Sequence, residues 1–219
     1  MIKGILFDFD GTIADTLRLC IAGFRQAIEP LAGRTVSDQE IIATFGPSEE
    51  GTIRQLAPHA CERGIAAYLK AYRELHGLCP APFPGIVELL HELRLRGILT
   101  ALVTGKGASS CRISLEYYGI ADCFDRIQTG SPAGPVKPQC IRAVLAELAL
   151  TPQEALYVGD SASDIQAARE VGVETLAAAY GVPSRRISND AQVAEAIDAM
   201  LTSQGPYLLI CDVDPMATT

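Results

Sequence analysis

An α/β fold with a parallel sheet is predicted by two patterns: short apolar runs that stop at polar loops, and helical periodicity between those runs. The first run is 4–9 (GILFDF), and similar runs lie at 98–103, 126–129, 155–158 and 173–178. Short apolar runs bounded by turn residues are typical of strands buried on both faces of a sheet. Helical patterns follow at 86–95, 109–118, 139–148 and 163–171. This alternation predicts a Rossmann-like parallel sheet core covered by helices on both faces.

The segment 15–81 breaks this alternation. Four helical patterns follow one another there without a convincing strand, at 17–28, 38–44, 49–56 and 61–75. Pro80, Pro82 and Pro84 then form a stiff, partly extended connection. We therefore predict two domains: an α/β core of residues 1–14 and 82–219, and an inserted α-helical domain of residues 15–81.

Composition narrows the classes of partner. The 219 residues include 18 Lys and Arg against 26 Asp and Glu, which gives a net charge of −8. An acidic balance argues against nucleic acid or an anionic membrane as the partner of a basic face. The 7 cysteines contain no C-x-x-C pair, so neither a disulfide framework nor a structural zinc site is expected. With no apolar stretch of membrane-spanning length and no signal peptide, we expect a cytoplasmic protein.

Polar side chains cluster where the predicted strands end. In open parallel sheets, ligands bind beyond the carboxyl ends of the strands, so these residues are the candidates for a site. They are Asp8, Asp10 and Thr12 after the first run, Thr104 and Gly105 after the second, Lys137 before a helix, and Asp160 and Asp164 after the run at 155–158.

The chemistry of these residue types points to phosphate. Asp8 and Asp10 repel each other unless a cation or a proton lies between them. Asp160 would add a third carboxylate, and a set of hard oxygen donors makes a Mg²⁺ site plausible. Lys137 and the Thr104 hydroxyl could hold phosphate oxygens, and a carboxylate can attack phosphorus as a nucleophile.

Each residue also has an ordinary structural interpretation. A single Asp at a strand end is usually a turn residue or a helix cap, and Asp160 and Asp164 could cap or flank the helix near residue 163. Lys137 alone is most often a surface lysine. The combination at successive strand ends favours one shared site. The segment 105–110 imitates a dinucleotide-binding loop, but Ser110 replaces its third glycine, which disfavours nicotinamide binding.

Four motifs carry a family resemblance. They are 7–16 (FDFDGTIADT), 103–106 (VTGK), Lys137-Pro138 and 158–164 (VGDSASD). With them the chain resembles haloacid dehalogenase superfamily hydrolases, in the phosphoglycolate phosphatase-like group that carries a helical cap inserted after the first strand. The resemblance covers residues 1 to about 200.

The resemblance implies roles for the residues that hold the phosphoryl group. Asp8 would attack phosphorus and form an aspartyl-phosphate. Asp10 would protonate the leaving oxygen and later deprotonate the hydrolytic water. Thr104 and Gly105 would grip the phosphoryl group together with Lys137. Gly105 stands where many relatives carry Asn, so this grip would rely more on backbone groups.

The resemblance also implies a metal site. Mg²⁺ would be held by the Asp8 carboxylate, the Asp10 backbone carbonyl and Asp160. Asp164 would support the site, either as a ligand through water or as a partner of Lys137. Relatives that displace halide or cleave phosphonates lack an acid/base Asp at the position of Asp10, so its presence favours phosphate esters.

The resemblance thus implies a Mg²⁺-dependent phosphatase, a phosphoric monoester hydrolase acting on a small phosphorylated metabolite. Phosphoglycolate, sugar phosphates, nucleoside monophosphates and pyrophosphate all stay open as substrates, and so does the choice between monomer and homodimer. A phosphomutase on the same scaffold and a non-catalytic regulatory module are the alternatives.

Three further expectations concern the loops and the C-terminus. The cap connections at 15–16 and 81–84 are the expected hinges. The cap loop 45–50 could face the site, although a helix N-terminus capped by Ser48 explains it equally well. The apolar run 207–212 (YLLICD) suggests an added edge strand.

Overall fold

The structure is a computed structural model that describes residues 1–177, 184–187 and 208–211. The chain divides into two compact units, Met1–Ala178 and Ala179–Thr219. The prediction of a core and a cap concerns the interior of the first unit and stays a prediction at the level of domain boundaries.

The first unit contains a five-stranded parallel sheet, which confirms the predicted fold class. Its strands lie in the order β3-β2-β1-β4-β5, so that the first strand occupies the centre. In β1 and its two neighbours, Gly4 lies opposite both Leu99 and Ala155. The strands are β1 (Gly4–Phe7), β2 (Leu99–Val103), β3 (Arg126–Gln128), β4 (Ala155–Gly159) and β5 (Glu174–Ala177).

Hydrophobic side chains are buried on both faces of the sheet. Phe7 and Val158 belong to one buried cluster, whereas their neighbours Leu6 and Tyr157 belong to a second one. This alternation follows from the two-residue period of a strand. The first cluster includes residues of the helices α5 (Ile86–Leu95) and α6 (Ala108–Tyr118), and the second includes residues of α7 (Lys137–Glu147) and α8 (Ala162–Val171).

Four α-helices lie within the segment 15–81, where the sequence predicts the cap. They are α1 (Leu17–Ala32), α2 (Asp38–Ile42), α3 (Glu49–Leu56) and α4 (Cys61–Glu74). The structure differs from the prediction in α1, which continues through Pro30. This helix ends at Gly33, whose φ of 66° turns the chain and whose N–H donates to the Glu29 carbonyl at 2.9 Å.

The second unit contains two short parallel strands, β6 (Ser184–Ile187) and β7 (Leu208–Cys211). The expectation of an added edge strand at 207–212 is therefore half right. The apolar run forms a strand, but it pairs with β6 in a separate sheet. An apolar pattern predicts that a segment is extended and does not specify its partner. Residues 207 and 212, at the ends of that run, lie outside the described residues.

Two further features agree with the sequence. Six cysteines within residues 1–177 carry free thiols. None of the helices in the described part of the chain has both the length and the hydropathy that crossing a membrane requires.

Candidate active site

A cavity of about 800 Å³ opens where β1, β2 and β4 end at their carboxyl termini. Six of the eight residues selected from the sequence line this cavity, and the other two, Thr12 and Asp164, each contact a lining residue from behind. The lining residues from the sequence prediction are Asp8, Asp10, Thr104, Gly105, Lys137 and Asp160. The sheet edge thus brings together residues that are as many as 152 positions apart in the chain.

Asp8 is buried, with 6% of its surface exposed. Its backbone N–H donates to the Val158 carbonyl at 2.8 Å, which anchors the residue between the first and fourth strands. Its Oδ2 lies 3.2 Å from the Lys137 ammonium, whereas its buried Oδ1 has no hydrogen-bond partner among the described residues. Burial raises the pKa of Asp8 to about 7; Lys137 opposes this rise, and the Asp164 and Asp10 carboxylates add to it.

Lys137 begins α7, and its ammonium lies 2.5 Å from Asp164 Oδ1. The same Asp164 oxygen accepts a hydrogen bond from the Tyr157 hydroxyl at 3.2 Å. Its second oxygen accepts the Ser161 N–H at 3.0 Å and the Ser161 hydroxyl at 2.6 Å. Burial opposes ionisation of Asp164, but the Lys137 charge and the Ser161 donors lower its pKa. Of its two expected roles, the geometry favours that of a partner for Lys137.

Asp160 lies against the Gly11-Thr12 turn. The Thr12 hydroxyl donates to Asp160 Oδ1 at 3.3 Å. Gly11 has a φ of 83°, and a Cβ at this position would overlap the Asp160 carboxylate. Only glycine tolerates both the backbone conformation and this approach, which explains why Gly-Thr follows the two aspartates.

The carboxylates can hold a divalent cation. Oxygens of Asp8, Asp160 and Asp164 lie within 4.8 Å of one another. Burial, with the Asp164 charge beside it, raises the pKa of Asp160, so a negative charge on Asp160 is poorly stabilised by the protein groups alone. The unpartnered Oδ1 of Asp8 is the kind of buried polar atom that needs an additional partner. A set of hard oxygen donors fits Mg²⁺.

Lys106 is the residue of this site whose position the sequence reasoning missed. Its ammonium lies 3.0 and 3.3 Å from the two Asp10 oxygens and 3.5 Å from Glu49 Oε1. Its side chain is only 1% exposed, and it passes over the rings of Tyr72 and Phe9. Burial alone would lower the pKa of Lys106, but the surrounding acidic groups, Asp10 foremost, raise it well above its ordinary value.

Asp10 is therefore held from two sides. Lys106 contacts its carboxylate from the loop after β2, and the Thr16 hydroxyl donates to its Oδ1 from the start of the cap. The sequence contained one signal for this arrangement: Lys106 follows a buried strand that ends at the same sheet edge as Asp10.

Glu49 connects α3 with the loop and helix that follow β2. This first residue of α3 is buried; it accepts the Gly107 N–H and, at 2.5 Å, the Ser110 hydroxyl. The preceding Ser48 donates its backbone N–H to the Ser131 carbonyl at 2.9 Å. The Pro/Gly-rich loop that contains Ser131 thus packs against the cap.

The sequence offered two interpretations of the cap loop 45–50, a loop that faces the site and a helix N-terminus capped by Ser48, and each is partly right. Phe45, Gly46, Pro47 and Glu49 line the cavity that holds Asp8. Ser48 occupies the N-cap position of α3, but its hydroxyl makes no capping hydrogen bond. The loop therefore faces the site and also begins a helix.

The loop after β2 supplies the remaining expected residues. Thr104 is buried, and its Oγ1 accepts the Lys106 N–H at 3.2 Å. Gly130 donates its N–H to the Lys106 carbonyl at 2.8 Å. A Cβ on Gly130 would overlap the Gly105 carbonyl, so this loop requires glycine opposite Gly105.

The chain is similar to known proteins in both sequence and structure. The chain is 27% identical to pyrophosphatase PpaX of Bacillus velezensis, over 83% of this chain and 85% of that protein. Its structure is similar to that of a predicted phosphoglycolate phosphatase from Haemophilus somnus, with 24% identity, a TM-score of 0.65 and coverage of 82% and 86%. A similar match is CbbY from Rhodobacter sphaeroides in complex with phosphate, with 24% identity, a TM-score of 0.71 and coverage of 81% and 86%.

The two structural matches show the fold, and a family model identifies the chain. That model, described as haloacid dehalogenase-like hydrolase, matches residues 5–178. The match includes the aspartates after β1, the loop after β2, Lys137 and the aspartates after β4. The chain therefore belongs to the haloacid dehalogenase-like hydrolases.

Proposed function

We propose that the protein is a Mg²⁺-dependent phosphatase that hydrolyses a small phosphate monoester through an aspartyl-phosphate on Asp8. The observation that carries this proposal is the environment of Asp8: one carboxylate oxygen faces the Lys137 ammonium at 3.2 Å, and the other has no partner among the described residues. A buried carboxylate beside a lysine, in a cavity, is a candidate nucleophile toward phosphorus.

In the first step Asp8 forms a bond to phosphorus while the bond between phosphorus and the leaving oxygen breaks. The Lys137 ammonium lies between Asp8 and Asp164, so it can offset the negative charge of the transferred phosphoryl group. Asp164 holds that lysine in place. Thr104 and the backbone around Gly105 line the same cavity and supply hydrogen-bonding groups for phosphoryl oxygens.

Asp10 is suited to move the proton. Its carboxylate lines the cavity and is 37% exposed on its side chain, so a leaving group or a water molecule can reach it. Asp10 would donate a proton to the leaving oxygen in the first step. In the second step it would accept a proton from the water that attacks the aspartyl-phosphate. Lys106 and Thr16 orient Asp10 throughout.

Mg²⁺ would be held by the carboxylates of Asp8 and Asp160 and by the Asp10 backbone carbonyl. When bound, it would offset the negative charge shared by the phosphate and the carboxylates. Asp164 is less suited to be a ligand, because both of its oxygens already accept hydrogen bonds from protein donors.

The proposal is tested by trapping the covalent intermediate in two variants. Asp8→Asn keeps the shape of the nucleophile but removes its charge, so neither turnover nor a phosphate adduct is expected. Asp10→Asn keeps the nucleophile and loses the proton donor and base, which costs about 10²–10⁴-fold in rate. With p-nitrophenyl phosphate, whose leaving group needs little acid assistance, the Asp10 variant should accumulate aspartyl-phosphate.

The measurement is rapid quench followed by intact mass determination, with unreacted protein as the reference. We expect a phosphate adduct on the Asp10 variant and none on the Asp8 variant. An adduct or wild-type turnover with Asp8→Asn would mean that another residue is the nucleophile.

A further inference from the structure

We propose that the alcohol released from the substrate is uncharged or cationic, so that the substrates are phosphate esters of neutral or amino alcohols. Esters that carry a carboxylate or a second phosphate would then be poor substrates. This inference rests on the proposed phosphatase function. The argument comes from the charged groups that surround the cavity.

Acidic side chains outnumber basic side chains in the cavity. Among the described residues that line it, five are acidic and two are basic. Glu170, one of the five, lies at the rim and is paired with Arg142 at 2.9 Å. The other four are Asp8, Asp10, Glu49 and Asp160, and the two basic residues are Lys106 and Lys137.

Neither lysine is available to a second anionic group. The Lys106 ammonium is surrounded by Asp10, Glu49 and the Cys20 sulfur at 3.5 Å, and its side chain is 1% exposed. Lys137 lies between Asp8 and Asp164, where the transferred phosphoryl group would bind. A charge at the far end of the substrate therefore finds no free cation among the described residues of the cavity.

The cap wall is apolar and acidic. Phe24, Phe45, Pro47 and Thr52 contribute uncharged surface, and Glu49 contributes its carboxylate. An anion placed against this wall would lose water without gaining a cation, and it would approach Glu49, which has the same sign of charge.

The opposite wall offers uncharged hydrogen-bonding groups. Gln139, Gln166, Ser161 and Ser163 all line the cavity on the core side. Amide and hydroxyl groups can pair with the hydroxyls of an alcohol without requiring a charge. This combination of walls suits a neutral, hydroxylated leaving group and tolerates an ammonium group.

The test compares three substrates of almost equal size. They are 2-phosphoglycolate, 2-hydroxyethyl phosphate and O-phosphoethanolamine, whose two-carbon leaving groups carry a carboxylate, a hydroxyl and an ammonium. We expect kcat/KM for phosphoglycolate to be lower than for the other two by about tenfold or more, because like charges in a desolvated site repel. The kcat/KM for pyrophosphate should be low as well, like that for phosphoglycolate.

A second measurement ranks binding even where turnover is slow. Each compound is also tested as a competitive inhibitor of p-nitrophenyl phosphate hydrolysis, together with the larger pair glucose 6-phosphate and 6-phosphogluconate. The neutral or cationic member of each set should bind more tightly than the anionic member.

Substitutions at Phe45 separate charge from shape. Phe45 lies on the cap loop, lines the cavity and is 40% exposed, so the position has room for a longer side chain. Phe45→Lys places a cation on the cap wall and should raise kcat/KM for phosphoglycolate relative to 2-hydroxyethyl phosphate. Phe45→Met removes the ring without adding charge and should leave their ratio unchanged.

The outcomes distinguish this inference from the function on which it rests. If no compound is hydrolysed, p-nitrophenyl phosphate included, the phosphatase proposal itself fails. If p-nitrophenyl phosphate is hydrolysed but phosphoglycolate or pyrophosphate equals or exceeds the neutral esters, the inference is overturned and the phosphatase proposal stands. The inference is also overturned if no neutral ester is turned over or bound.

Discussion

Two lysines occupy the two sides of this site, Lys106 buried and Lys137 partly buried, and they differ in what holds them. Among the described residues, Lys137 forms ion pairs with Asp8 and Asp164, which follow two neighbouring strands of the sheet. Lys106 contacts Asp10 in the core and Glu49 at the start of a helix between β1 and β2. The ion pairs described for Lys137 thus do not involve the inserted helices, whereas those of Lys106 connect these helices with the sheet.

From this difference we predict that the two steps of the proposed reaction depend on different parts of the molecule. Asp8 and Lys137 form no ion pair with the inserted helices in the described part of the chain. Asp10 is oriented by Lys106 and by Thr16, and Glu49 in turn holds Lys106. Substitutions around Lys106 should therefore affect proton transfer and stability, whereas those around Lys137 should affect attack on phosphorus.

The largest expected effect comes from removing the divalent cation. Lys137 serves Asp8 and Asp164, and neither lysine forms an ion pair with Asp160 among the described residues. Lysine alone therefore leaves a phosphate dianion facing uncompensated carboxylates. Phosphate release should stop in excess chelator and return on addition of Mg²⁺. Full turnover in the chelator would contradict the metal assignment.

Lys137→Met should produce the next largest loss. Removing one preorganised group that offsets developing charge typically costs about 10²–10³ in kcat. Because attack itself is slowed, rapid quench should show no accumulated phosphoenzyme. A thermal unfolding curve checks that the variant is folded. An adduct that builds up in this variant would place Lys137 in the second step.

Lys106→Met should reduce kcat less than Lys137→Met does. It should also differ from Lys137→Met in the rapid-quench result. We expect a loss of about 10–10² in kcat, below the full range for an acid/base group, because Asp10 keeps its carboxylate and its Thr16 contact. Aspartyl-phosphate should accumulate, and KM should fall together with kcat. If formation and hydrolysis of the aspartyl-phosphate were slowed equally, Lys106 would do more than orient Asp10.

The same variant should also lose stability. Methionine retains the apolar contact with Tyr72 and Phe9 but leaves Glu49 without its cation. Removing one partner of a buried pair costs roughly 3–5 kcal/mol, and we expect about 3 kcal/mol because Asp10 is partly exposed. Denaturant unfolding of Lys106→Met, Glu49→Gln and the double variant measures the coupling between the two residues.

Glu49→Gln should have the smallest effect. The two donors bond to different Glu49 oxygens, so the single amide oxygen of glutamine can accept the Gly107 N–H but not the Ser110 hydroxyl as well, while the Ser110 hydroxyl can still donate to the Gly107 carbonyl. The substitution therefore removes the charge beside Lys106 and one acceptor, and it keeps the size of the side chain. Since charged hydrogen bonds are stronger than neutral ones, the loss of stability should be about 1 kcal/mol. Glu50→Gln, one residue along the same helix, is the matched control. Equal effects of the two substitutions would mean that the Lys106 contact contributes nothing.

The sequence by itself determined the strands of the main sheet and the residues at their ends. The two ends of each apolar run, such as 98–103, lie within two residues of the ends of the observed strand. This agreement is expected because a strand buried on both faces must be apolar along its length. Since parallel strands end at the same edge, the positions of Asp8, Lys137 and Asp160 followed from the order of the elements.

Only the tertiary structure decided which charges meet. Lys106 and Asp10 are 96 residues apart, and nothing local in either segment specifies the pair. The same holds for Glu49, for the choice of Lys137 as the partner of Asp164, and for the pairing of β7 with β6. Periodicity reports how much of a segment is buried, whereas ion pairs and strand partners depend on how separate segments pack in three dimensions.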